Sequence, residues 1–103
     1  MVNPRHLGQR KNEWVLFGFI MENLGEEGVM SLSDLMKQLD NFPKHSRNTR
    51  EIGQRLSMNR SKGFSRVLRP QKQGVSVVIW QFEGELPDIP RSTLHDWKKR
   101  LSL

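Results

Sequence analysis

Apolar residues recur at helical spacing in the first half of the chain. Phe17, Ile20, Met21 and Leu24 follow the order i, i+3, i+4, i+7, and neighbouring apolar residues widen this stripe. A wide stripe predicts a helix that is buried on more than one side, at the centre of a small domain. Leucines and a methionine repeat in the same order over residues 32–39, so the pattern predicts a second helix there.

Residues 47–60 predict a third helix. Asn48 and Glu51 are a candidate N-cap and capping partner, and Ile52 with Leu56 supplies the apolar side. Because successive residues of a helix are 100° apart around its axis, a set of polar residues lies opposite this apolar side. That set consists of Arg50, Gln54, Ser57 and Ser61, with Arg47 and Met58 on the flank.

After the third helix the pattern changes to a β-hairpin. Residues 64–69 and 75–82 are rich in β-formers and are joined by a turn that contains Pro70 and Gly74. The second strand is apolar on both faces, with Val78, Trp80 and Phe82 on one and Val75, Val77 and Ile79 on the other. Because the ribbon has one core face, another element must cover the second. The tail offers a stripe at i, i+3, i+7 formed by Leu94, Trp97 and Leu101.

The chain has 103 residues, a length typical of one domain. Charge is distributed unevenly along it. Residues 44–74 carry nine basic residues and one acid, a net charge of +8, whereas residues 13–43 carry −5. The whole chain has a net charge of +6 and a pI near 10.3. This asymmetry indicates a protein that binds a polyanion, the alternative being a solvated basic face without a partner.

The sequence contains no arrangement typical of catalysis or metal binding. It has no cysteine, no phosphate-binding glycine motif and no tyrosine, and its three histidines share no ligand spacing. The longest apolar run, residues 14–21, is too short to cross a bilayer. We therefore expect an intracellular protein that is not an enzyme, has no cofactor or metal, and does not enter a membrane.

The polar side of the third helix favours contact with DNA over simple solvation. Arginine pairs with guanine, glutamine pairs with adenine, and serine pairs with either base, whereas a solvated helix more often alternates lysine with glutamate. Basic residues away from that side suit phosphate contact. The predicted DNA-binding residues are Arg47, Arg50, Gln54, Arg55, Ser57, Arg60, Ser61, Lys62, Arg66, Arg69 and Lys72.

The order helix, short strand, helix, helix, hairpin with a basic tip resembles the winged helix-turn-helix family. The resemblance covers residues 12–84 and implies an α+β fold of three helices and a hairpin wing, here with an additional C-terminal helix. It implies that the third helix enters the major groove, with Arg50 and Gln54 as base contacts. The wing, residues 69–73, would place Arg69 and Lys72 on phosphate.

The remaining segments complete the predicted organisation. Residues 1–11 form a basic arm, residues 85–90 a proline-containing linker, and residues 91–103 an amphipathic helix. The stripe of that helix either folds back on its own hairpin or pairs with a second copy, and the stiff linker favours a homodimer. The tryptophans and Met21, Met30, Met36 and Met58 are interpreted as core residues.

We expect a double-stranded DNA-binding protein that reads sequence or shapes DNA. Its role would lie in transcription regulation or in the replication and maintenance of a small genome. One alternative is a winged-helix module that binds only other proteins, although its third helix would be acidic or apolar. The other is a binder of RNA or single strands, which would interleave exposed aromatics with the basic residues.

Overall fold

Four helices and three strands form within residues 13–45, 48–70 and 76–103, the ranges that the computed structural model describes. In chain order they are α1 (Glu13–Leu24), β1 (Val29–Ser31), α2 (Leu32–Leu39), α3 (Thr49–Met58), β2 (Phe64–Pro70), β3 (Ser76–Phe82) and α4 (Arg91–Arg100). Short 3-10 turns occupy Pro43–His45 and Arg60–Lys62. The fold is therefore α+β. The predicted arm and hairpin tip lie outside the described residues.

Helix α1 is the centre of the core, as its wide apolar stripe predicts. Val15, Leu16, Phe17, Ile20 and Met21 are all buried. Burial of this many apolar side chains on one helix requires packing partners on several sides. The sheet, α2 and α4 supply those partners, so α1 is covered on nearly all of its faces.

The caps predicted for α2 and α3 are present. The side chain of Ser31 accepts a hydrogen bond from the Asp34 backbone N–H at 3.1 Å. Asn48 accepts one from the Glu51 backbone N–H at 2.9 Å, so α3 begins at Thr49. Helix α3 is shorter than predicted, because the chain tightens into a 3-10 turn after Asn59.

The three strands form an antiparallel sheet in the order β1-β3-β2. Trp80 of the central strand lies opposite Met30 of β1 and Arg66 of β2. Trp80 and Phe82 are buried on the inner face, as the alternation in β3 predicts. On the outer face, Ile79 is only half-buried.

The C-terminal helix does not fold back on its own hairpin, which was one of the two arrangements predicted for it. The rings of Trp97 and Phe19 lie 5.5 Å apart, and the Arg100 guanidinium donates to the backbone oxygen of Asn41 at 3.1 Å. Helix α4 therefore packs on α1 and the end of α2, not on the hairpin. Trp97 and Leu101 are buried and Leu94 is half-buried within one chain, so this stripe is not an open apolar surface.

Two glycines allow two backbone segments, residues 62–63 and 83–84, to cross in close contact at the base of the hairpin. The Glu83 N–H donates to the Gly63 carbonyl at 3.0 Å, and Gly63 has a left-handed φ of 113°. A Cβ on Gly84 would overlap the carbonyl oxygen of Lys62. The crossing fixes the base of the hairpin relative to the end of α3.

We expect Gly84→Ala to destabilise the protein by about 2–3 kcal/mol, because backbone must move to admit the methyl group. Gly53→Ala in α3 is the matched control, since its added Cβ would lie 3.6 Å from Leu32, an ordinary contact. That control gains helix propensity of up to about 1 kcal/mol. Urea unfolding compares the two. Equal midpoints for Gly84→Ala and wild type would contradict the tight crossing.

Candidate nucleic-acid interface

Helix α3 presents its polar side to solvent. Ile52 and Leu56 are fully buried against the core. Arg50, Gln54 and Ser57, here called the outer face of α3, are all exposed. The structure therefore brings together three of the residues that the sequence predicts as DNA contacts.

A groove of about 640 Å³ separates α3 from the hairpin. Its α3 wall carries the outer face together with Gly53, and its far wall carries Arg66 of β2. Leu32, Val78 and Trp80 form the apolar floor. We call this the α3–hairpin groove.

Arg66 belongs to this groove because of its place in the sheet. It lies opposite Trp80, and directly opposed residues of an antiparallel pair project from the same face. Arg66 is exposed and lines the same groove as Arg50, from the other wall. Among the described residues that line the groove there is no carboxylate, so its local charge is positive.

Arg55 has a different environment from the one predicted. Its Nε lies 3.1 Å from Oε1 of Glu13, a carboxylate that is only 1% exposed. The distance is that of an ion pair, although the Nε–H direction does not satisfy a hydrogen bond to Oε1. Nδ1 of His45 lies 3.5 Å from the other oxygen, Oε2. Arg55 therefore pairs with a buried carboxylate through Nε, while 30% of its side chain remains exposed.

The buried cluster of Glu13, His45 and Arg55 is a feature that the sequence interpretation missed. Glu13 lies in the first turn of α1, where an acid is ordinarily explained by the helix dipole. Its partners follow it by 32 and 42 positions, on other elements, and no local spacing connects them. The only available signal was an acid directly beside an apolar run.

The other predicted basic residues are distributed around the end of α3. Arg60, Ser61 and Lys62 are exposed on the 3-10 turn, so Ser61 is not on the helix face as predicted. The Lys62 ammonium lies 5.2 Å from the centre of the Trp14 ring, a cation–π contact. Arg47 and Lys72 lie outside the described residues, and the side chain of Arg69 is also outside the description.

One methionine was interpreted wrongly. Met58 is not a core residue: 73% of it is exposed, at the end of α3 and on the rim of the α3–hairpin groove. It follows Gln54 by one helical turn and therefore lies beside the outer face, not beside Leu56. Met21 and Met30 are buried and Met36 packs against the core, so those three interpretations are confirmed.

The described residues offer no metal site, since no three histidine or acidic side chains among them come close enough to hold an ion. Within the same ranges no helix combines the length and apolarity needed to cross a bilayer.

Comparisons of the chain with protein-family models, with curated proteins and with solved structures give no significant match. The arrangement around α3 therefore carries the functional argument.

We expect Arg55→Met to destabilise the protein by about 2–4 kcal/mol, because it leaves the Glu13 carboxylate buried without its arginine. Glu13→Gln is expected to cost less, since Arg55 is 30% exposed and reaches water on its own. The double variant should be more stable than Arg55→Met alone. A thermal and urea unfolding cycle measures the coupling. Strict additivity would contradict a stabilising ion pair.

Proposed function

We propose that this protein binds double-stranded DNA through α3 and the hairpin, without catalysing a reaction. The observation that carries the proposal is the exposed outer face of α3, Arg50, Gln54 and Ser57, beside Arg66 of the hairpin. Arginine and glutamine make bidentate contacts with base edges, and a second arginine suits the phosphate backbone. These side chains surround one groove whose described lining contains no carboxylate.

The connectivity supports the same proposal. The order α1, β1, α2, α3, β2, β3, with β1 paired to β3, is compatible with a winged helix-turn-helix. In that family the third helix lies in the major groove and the hairpin contacts the adjacent minor groove or backbone. By that analogy α3 is the reader helix, the hairpin is the wing, and Arg69 and Lys72 are backbone contacts.

Burial of the aromatic side chains favours a duplex over a single strand. Proteins that hold single strands stack the bases on exposed aromatic rings. Phe64, the only aromatic residue of the basic segment 44–74, is 2% exposed. The large apolar residues that are exposed in the described part of the chain are Met58 and Leu103, neither of them aromatic. On this basis DNA duplex is the proposed ligand, in transcription regulation or in maintenance of a small genome.

We expect binding to duplex DNA to depend strongly on salt. If roughly five basic residues contact phosphate, log K should fall with log salt at a slope of about −4 to −5. Fluorescence anisotropy of a labelled random duplex between low and moderate salt measures this slope. Single-stranded DNA and RNA of equal length are the comparison ligands. Absence of binding at low salt, or a slope near zero, contradicts the DNA proposal.

We expect Arg50→Ala and Gln54→Ala each to cost about 1–3 kcal/mol on a selected site and to relax discrimination at one base. Arg69→Ala and Lys72→Ala should weaken all duplexes alike, because phosphate contacts carry no sequence information. Arg91→Ala is the matched charge control, since this exposed residue begins α4.

A selection from a randomised duplex pool, repeated with each variant, separates the two sets. Should Arg50→Ala and Gln54→Ala leave base preferences unchanged, α3 is a docking surface without base recognition. Loss of affinity in Arg91→Ala equal to that in Lys72→Ala would show that net charge alone accounts for binding.

A further inference from the structure

The floor of the α3–hairpin groove is more apolar than contact with duplex DNA requires. Leu32 and Val78 are half-buried there, and Met58 is 73% exposed on the rim. In the major groove DNA offers mainly polar base edges, with the thymine methyl as its apolar group. Apolar side chains left partly open beside a groove are typical of protein recognition, and methionine is frequent on such surfaces.

The charges around this apolar floor select the chemistry of a partner. Arg50 stands on one wall and Arg66 on the other, and the described lining contains no carboxylate. The surroundings therefore provide positive charge, which matches the carboxylates of a partner.

The walls of the groove also indicate the backbone conformation of a partner. One wall is a helix and the other is the face of the hairpin, so both walls present side chains to a partner. The edge of a strand would present backbone N–H and C=O groups instead. A partner segment here must satisfy its own backbone hydrogen bonds, which a helix does. Helix α3 has ten residues and is about 15 Å long, enough to hold two to three turns of a partner helix.

The chain's own C-terminal helix does not have the required properties. Its apolar residues Trp97 and Leu101 are buried within the same chain, and Lys98, Lys99 and Arg100 make its last turn basic. The same helix of a second copy would bring positive charge to a positive groove. The occupant that fits is therefore a different protein.

We propose that the α3–hairpin groove binds a short amphipathic helix of a partner protein, apolar on one face and acidic along its flanks. Apolar side chains of that helix enter the groove over Leu32 and Val78, and its carboxylates pair with Arg50 and Arg66. Because Arg50 and Gln54 also belong to the proposed DNA contacts, the partner and DNA exclude each other. Only this exclusion rests on the proposed DNA-binding function; the groove's affinity for the helix does not.

The test uses a labelled peptide of about fifteen residues, built from glutamate and alanine, with leucines at i, i+3, i+4 and i+7. A peptide of identical composition with the leucines scattered around the helix is the control ligand. Fluorescence anisotropy with the full-length chain should show the amphipathic peptide binding at least about tenfold more tightly. Equal affinity for the two peptides overturns the proposal, because charge alone would then explain binding.

Two variants of one position locate the site. Gly53→Leu places a bulky side chain in the groove, while Gly53→Ala adds a methyl group in ordinary contact with Leu32. Gly53→Leu should weaken the amphipathic peptide at least about tenfold, and Gly53→Ala should weaken it by clearly less than Gly53→Leu does. Circular dichroism and thermal unfolding verify that both variants are folded. Retained affinity in folded Gly53→Leu overturns the assignment of the groove.

Competition separates this proposal from the DNA proposal. Addition of the unlabelled amphipathic peptide should release a labelled duplex, at the concentrations that exclusive competition predicts from the two dissociation constants measured separately. A ternary complex of chain, peptide and duplex overturns the exclusion. If the chain binds the peptide at the groove but no duplex at any salt, the DNA proposal fails and the groove proposal stands. If the chain binds duplex but not the peptide, the groove proposal fails and the DNA proposal stands.

Discussion

The constraint on which the structure depends is that α1 must be covered on nearly every side. This helix is exposed only near its end, at Glu22 and Asn23, while six of its apolar side chains are buried: Val15, Leu16, Phe17, Phe19, Ile20 and Met21. At roughly 1.5–3 kcal/mol for each large side chain, removing this surface from water is a major part of the folding free energy. The sheet, α2 and α4 are the elements that supply the cover. Their positions follow from this requirement.

Helix α3 meets the core through a narrower stripe, and this explains why its outer face is available. Ile52 and Leu56 are buried, while Arg50, Gln54 and Ser57 on the opposite side are exposed. The buried carboxylate of Glu13 adds an ion pair with Arg55, on the flank of the helix. An apolar stripe alone permits small rotations about the helix axis, whereas an ion pair to a fixed carboxylate restricts them.

The sequence predicts the elements of this fold better than the contacts between them. Periodicity locates α1, α2 and the hairpin, and the capping residues Ser31 and Asn48 locate two helix starts, because these signals are local. The stripe of α4 is likewise visible, but a stripe does not identify the surface that it covers. The sequence left open whether the tail covers its own hairpin or a second copy, while Trp97 lies on Phe19. The same limit explains Glu13 and Arg55, whose pairing depends on how α1 and α3 are placed.

For the candidate site, the sequence predicts the exposed residues of α3 but not the groove. A helical projection places Arg50, Gln54 and Ser57 opposite Ile52, and the structure agrees. Met58 shows where residue type misleads, since the projection places it on the flank of the polar set and its apolar side chain is buried only if another element reaches it. No described element does, because the crossing at Gly63 and Gly84 fixes the base of the hairpin and the groove lies between α3 and β3.

The groove contains both basic or polar side chains and apolar side chains, and a single class of ligand does not contact both kinds equally. Its arginines, glutamine and serine suit nucleic acid, whereas Leu32, Val78 and Met58 suit apolar side chains. A surface that only held phosphate would gain nothing from leaving these apolar groups partly open to water. A surface that only held protein would not require bidentate donors in helical register along α3. The combination is most simply explained if two ligands of like charge, a duplex and an acidic helix, use the same positive walls and differ in how they use the floor.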